Sequence, residues 1–105
     1  MSDLQTELLR RLKKLGVEHV IPPGRDDGFS GLRFNGKDLA HFHNSGELDL
    51  RLTRKVIERE GLSHPPGSLV HPNRSERSSW IEVRFTRASQ LDEVVRLVKL
   101  AIEQL

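Results

Sequence analysis

The stretch Asp38-Leu-Ala-His-Phe-His-Asn-Ser-Gly-Glu-Leu-Asp-Leu-Arg-Leu-Thr53 constrains the fold more than any other part of the chain. Leu48, Leu50 and Leu52 alternate with Glu47, Asp49 and Arg51, and a period of two marks a strand with one face buried and one polar. In the preceding strand, His41 and His43 are one residue apart, so both imidazoles project from the same side of a sheet. Asn44-Ser45-Gly46 reads as a three-residue hairpin loop, a type I turn closed by a left-handed glycine. That register predicts His43 opposite Glu47 and His41 opposite Asp49, with the Cβ atoms of each pair about 5 Å apart. Imidazoles and carboxylates on one polar face have the chemistry to tune a proton, hold a metal ion or grip a ligand.

The flanking segments fit an α+β domain. Residues 3–15 predict an amphipathic helix with Leu4, Leu8, Leu12 and Leu15 in one stripe, Ser2 as N-cap and Gly16 as the stop. The segment from Val20 to Gly28 reads as irregular, because its two prolines and two glycines exclude helix and central strand. A short strand is expected at about Phe29–Phe34, an Asn35-Gly36 turn, and the histidine strand at about Leu39–His43. After the third strand, Glu47–Leu52, Thr53 caps a short helix that runs to about Glu60. Residues 62–79 have no periodicity and hold His64 and His71, each fixed by a following proline. Trp80–Phe85 alternates as a fourth strand. The last helix, Ser89–Gln104, turns Leu91, Val94, Val95, Val98, Ala101 and Leu105 inward, with Ser89 and Asp92 as a capping pair.

These elements predict a single domain over residues 1–105, a two-layer, four-stranded, mainly antiparallel sheet with helices on one face. Its core is expected to hold Ala40, Phe42, Leu48, Leu50, Ile81, Val83 and Phe85. The other, open face would carry Arg33, His41, His43, Glu47, Asp49, Arg51, Trp80, Glu82 and Arg84. One parity conflict stands out. A strict two-residue Asn35-Gly36 turn would place Leu32, Phe34 and Leu39 on the histidine face, so either the loop is longer or a bulge intervenes.

Composition narrows the function classes. With no cysteine, disulfides and thiolate metal sites are excluded. Seventeen cationic residues against fifteen acidic ones give a net charge of +2, and no long basic run forms, which argues against a nucleic-acid partner. Neither a signal peptide nor an apolar stretch of about 20 residues is present, so a soluble, cytoplasmic protein without a membrane partner is expected. Nothing in the sequence specifies an oligomeric state.

Three chemistries fit the polar face. A metal ion would take His41 and His43 as nitrogen ligands, with Asp49, Glu47 or a loop histidine as the third. Acid–base work would use His41 oriented by Asp49, with His43 and Glu47 as a second pair. Ligand binding would use Trp80 as a stacking surface and Arg33, Arg51, Arg84 and the loop arginines Arg74 and Arg77 for an anion. No Gly-x-Ser-x-Gly elbow or phosphate-cradling glycine loop occurs.

The motifs Asp38-Leu-Ala-His-Phe-His, Ser45-Gly-Glu-Leu-Asp-Leu-Arg-Leu52 and Glu60-Gly-Leu-Ser-His-Pro65 resemble the small domain shared by fungal luciferases and many bacterial proteins. The resemblance runs from about Asp38 to Phe85. It implies, by the fungal relatives, oxygenation of a hispidin-type phenolic pyrone by molecular oxygen with no organic cofactor, and it marks His41, His43 and His64 as site residues. This chain has Asp49 where fungal members commonly place a histidine, and those members are longer and carry an N-terminal membrane segment. Light emission is therefore not implied. Two readings follow: a non-catalytic module binding a small anionic or aromatic ligand or a protein partner, or a small enzyme using His41, His43, Asp49 and His64. The cofactor expected is none, or one divalent metal.

Overall fold

Alternation along the chain becomes alternation of faces in an antiparallel meander. The structure, a computed structural model, describes residues 3–24, 29–44, 46–62 and 79–105. The elements are α1 (Asp3–Lys13), β1 (Glu18–Val20), β2 (Ser30–Phe34), β3 (Lys37–Asn44), β4 (Glu47–Arg51), α2 (Arg54–Arg59), β5 (Trp80–Arg84) and α3 (Leu91–Glu103). The sheet follows chain order, β1-β2-β3-β4-β5, with every neighbouring pair antiparallel. It therefore has five strands where four were expected. β1 escaped the sequence reading because three residues show no period. Its last residue, Val20, opens the segment read as irregular, and Pro22-Pro23 stops it from growing.

A bulge resolves the parity conflict. Asn35 and Gly36 form a strict two-residue turn with φ of 52° and 76°, the left-handed pair that hairpins favour. Phe34 faces Lys37 and Arg33 faces Asp38, but Leu32 then faces Ala40. Leu39 is the extra residue. It lets Leu32, Leu39 and Ala40 all be buried while His41 keeps to the polar side.

The core lies between the apolar face of the sheet and the helices. Leu8 and Leu12 of α1, Phe42, Leu48 and Leu50 of the sheet, Val56 and Ile57 of α2, and Leu91, Val94, Leu97, Val98 and Ala101 of α3 are buried together. Burying a leucine or phenylalanine side chain stabilises by roughly 1.5–3 kcal/mol, so this cluster supplies the main driving force for folding. Val83, Val95 and Leu105 pack against it only in part, and Leu97 joins it although the stripe drawn from sequence left it out. α2 begins as expected, with Thr53 Oγ1 accepting from the Val56 N–H at 3.2 Å.

The start of α3 differs from expectation. A single turn of 3₁₀ helix, Ala88–Gln90, precedes it. Gln90 Oε1 accepts from the Thr86 N–H at 2.6 Å and the Arg87 N–H at 3.2 Å, while Ser89 is exposed. A glutamine side chain reaches back across this turn; the serine one residue earlier points away. α1 ends near Gly16, whose φ of +92° suits glycine alone, and a Cβ there would come within 3.3 Å of the Phe34 ring. Ser2, the expected cap of α1, lies outside the described residues. Among those residues, no helix is long and apolar enough to cross a membrane.

Candidate functional site

The register assembles the site one residue per strand. Val20 faces Gly31, Gly31 faces His41, His41 faces Asp49, and Asp49 faces Glu82, a single row across the five strands. The expected pairing of His41 with Asp49 is the register found. That of His43 with Glu47 is not: Asn44 faces Glu47, Phe42 faces Leu48, and His43 is the extra residue of a second bulge in β3. The ladder therefore closes at the Asn44–Glu47 pair, one residue nearer the turn than expected. A bulge re-aims a side chain. Here it brings the His43 imidazole back toward the row, with its Nε2 3.7 Å from Asp49 Oδ2.

His41 turns the other way. Its Nε2 lies 3.8 Å from Asp38 Oδ2, and Asp38 Oδ1 lies 3.7 Å from Arg33 Nε. The two rings sit 6.1 Å apart, edge to face. One ligand atom each from His41, His43 and Asp49 lie within 4.8 Å of one another. Donors about 2.0–2.2 Å from a shared ion stand about 3–3.5 Å apart, so modest rotations of the side chains close this set on a metal.

The carboxylates Glu47, Asp49 and Glu82 of this face are buried, not open as expected, while Arg33, Arg51 and Arg84 are exposed. Asp49 is 4% exposed, Glu82 2% and Glu47 6%. Two aromatic residues, from elements far apart in sequence, cover the histidines. Trp80, at the start of β5, stacks on His41 with ring centroids 5.1 Å apart and planes 13° apart. Phe29, just before β2, lies 5.4 Å from the His41 ring and 5.3 Å from the His43 ring. Gly31, directly opposite His41, carries no side chain, so that flank of the imidazole is left to Phe29. A carboxylate kept from water interacts more strongly with a nearby cation or dipole than one at the surface.

The arginines divide. Arg84 Nη2 contacts Glu47 Oε2 at 3.4 Å across β4 and β5. Arg33 is tied to the site through Asp38, while Arg51 is exposed at the end of β4, in register with Trp80. His64, His71, Arg74 and Arg77 lie outside the described residues. Sequence reasoning missed Phe29 and the ionic role of Asp38. Asp38 stands at the head of the histidine motif and could have been taken as a partner for its neighbour three residues on. Phe29 showed no signal before the register of β2 was known.

The fold and site define a class, a small α+β meander whose polar face gathers two imidazoles and a carboxylate beneath an aromatic cover. Residues 36–101, more than half of the chain, match the family model of the Luciferase domain, and the chain belongs to that family. Comparison with curated proteins and with solved structures gave no match. The matched region includes β3, β4, α2, β5 and most of α3, and so His41, His43, Asp49, Trp80 and Glu82; α1, β1, β2 and Phe29 lie outside it.

Proposed function

We propose that this domain binds a small aromatic or anionic molecule on the histidine–acid face, with a divalent metal ion held by His41, His43 and Asp49 as its anchor. One observation carries the reading, the convergence of two imidazoles and a buried carboxylate to within 4.8 Å. Two nitrogens and one oxygen suit a borderline ion such as Zn²⁺, Fe²⁺ or Co²⁺ better than Ca²⁺ or Mg²⁺, which take oxygen ligands. Three protein ligands leave coordination positions for a ligand's own donor atom. Trp80 and Phe29 offer rings to a flat molecule, and Arg84 an exposed guanidinium to an anion. Glu47, Arg33, Arg51 and Glu82 act as the polar surround in this reading.

The test is a Co²⁺ titration of protein purified without a histidine tag, followed by visible absorption. One equivalent is expected to bind, and His43→Ala and Asp49→Asn each to weaken binding at least tenfold. Sub-stoichiometric binding by the unaltered protein, or undiminished binding by both variants, overturns the metal site.

A second reading is supported by the donor set itself. Two histidines and a carboxylate with open positions are also the ligands of non-haem iron oxygenases. The resemblance to fungal luciferases points to oxygen chemistry as well. In that reading His41, His43 and Asp49 are the catalytic metal ligands, and His64 joins the site from residues 62–79. Loss of the metal in the titration removes both readings together; oxygen uptake by the Fe²⁺ protein in the presence of a bound organic ligand separates them.

A further inference from the structure

On the helical side of the sheet, away from His41 and His43, α1 and β1 bound a cleft of about 820 Å³. That volume lies within the range of about 300–1,000 Å³ usual for small-molecule sites. Its apolar lining is the partly buried Leu9 over the buried Leu12, Val17 and Leu32. Its polar lining includes His19, whose Nε2 lies 2.8 Å from Oγ of the buried Ser30 and whose ring packs edge-on against Phe42. Arg10 and Lys13, in the basic last turn of α1, also line it. Among the described residues of the lining they outnumber the acidic one, Glu18. Glu7 engages Arg10, so the exposed Lys13 is the cation best placed to meet a ligand.

We propose that this cleft binds a single-chain amphipathic anion, its alkyl chain against the partly buried Leu9, over the buried Leu12 and Val17, and its headgroup at Lys13. Charge complementarity selects an anion over a neutral or cationic amphiphile. The lining runs along α1 from Thr6 to Lys13, about 10 Å of helix axis, which suits a chain of about eight carbons. Apart from Leu32, each residue named as lining precedes β2, and all lie outside the residues that match the family model. The site thus stands on different observations from the histidine–acid face, and the two succeed or fail separately.

Three probes sharing one tail test it: octanoate, octanol and octyltrimethylammonium, each titrated into the ¹⁵N-labelled full chain. Octanoate is expected to shift the amides of Leu12 to His19 saturably, octanol more weakly and the cation least. Lys13→Glu, an exposed change that leaves the core intact, is expected to weaken octanoate at least fivefold and to strengthen the cation. Equal binding of all three headgroups, shifts confined to other parts of the sheet, the absence of shifts, or an unaltered octanoate affinity in Lys13→Glu overturns the proposal.

Discussion

His41 is held between two aromatic rings, and that makes it observable. Trp80 is the only tryptophan in the chain, and it stacks on His41 at 5.1 Å. An open-shell ion such as Cu²⁺ or Co²⁺, bound by His41, therefore sits close enough to quench the indole emission. One equivalent of Co²⁺ is expected to quench Trp80 fluorescence saturably, and His43→Ala to remove most of that response. Quenching that survives in His43→Ala would place the ion elsewhere. The same geometry fixes the cost of disturbing His43. Its side chain is 26% exposed and sits in a bulge, not within the leucine core. His43→Ala is thus expected to change metal affinity far more than stability, which should shift by about 1 kcal/mol or less.

β3 is the element that decides the site, because two of its residues are extra to the ladder. Leu39 lies between Asp38, which faces Arg33, and Ala40, which faces Leu32. Deleting Leu39 joins Asp38 to Ala40 in a regular ladder and leaves His41 on its own face. The variant is expected to keep Co²⁺ binding while losing about 2–5 kcal/mol in urea denaturation, the cost of one fully buried leucine. Loss of binding in a chain that still folds would mean the bulge aims His41 as well as fitting Leu39. The bulges also explain which parts of the fold were legible in the sequence. Glu47–Leu52 alternates openly, and a three-residue loop before it sets His41 against Asp49; in the structure Asn44 faces Glu47, and the extra residue His43 restores that same pairing. A bulge breaks the period it sits in, so the placing of His43 was hidden. The burial of Asp49 and Glu82 was hidden too, since the rings covering the neighbouring histidines come from Phe29 and Trp80, and only the finished sheet brings these together. β1 was lost to its own brevity.

At the scale of the whole molecule, three displaced pKa values act in one direction. A hydrogen bond from Arg10, with help from Arg11, holds the Glu7 carboxyl at about 2. Arg96 lowers Glu60 in the same way, also binding Glu93 and so tying α3 to the end of α2. Burial beneath α1 lowers His19. In each case the folded protein releases a proton more readily than the unfolded chain, so stability rises with pH wherever the unfolded chain binds more protons. The His19 contribution is complete above its ordinary value of about 6.5 and is lost as pH falls through its lower folded value. Those of Glu7 and Glu60 are complete above about 4.3 and vanish as pH falls, for Glu7 toward about 2. The urea midpoint is accordingly expected to drop in two stages on acidification. His19→Gln should flatten the first stage, because glutamine takes up no proton there. Added salt should blunt the second stage and leave the first, since screening weakens the exposed Glu7–Arg10 and Glu60–Arg96 pairs but does not rehydrate a half-buried ring. A first stage of equal size in His19→Gln would mean that His19 does not carry it, and a salt-sensitive first stage would mean that charge, not burial, lowers His19.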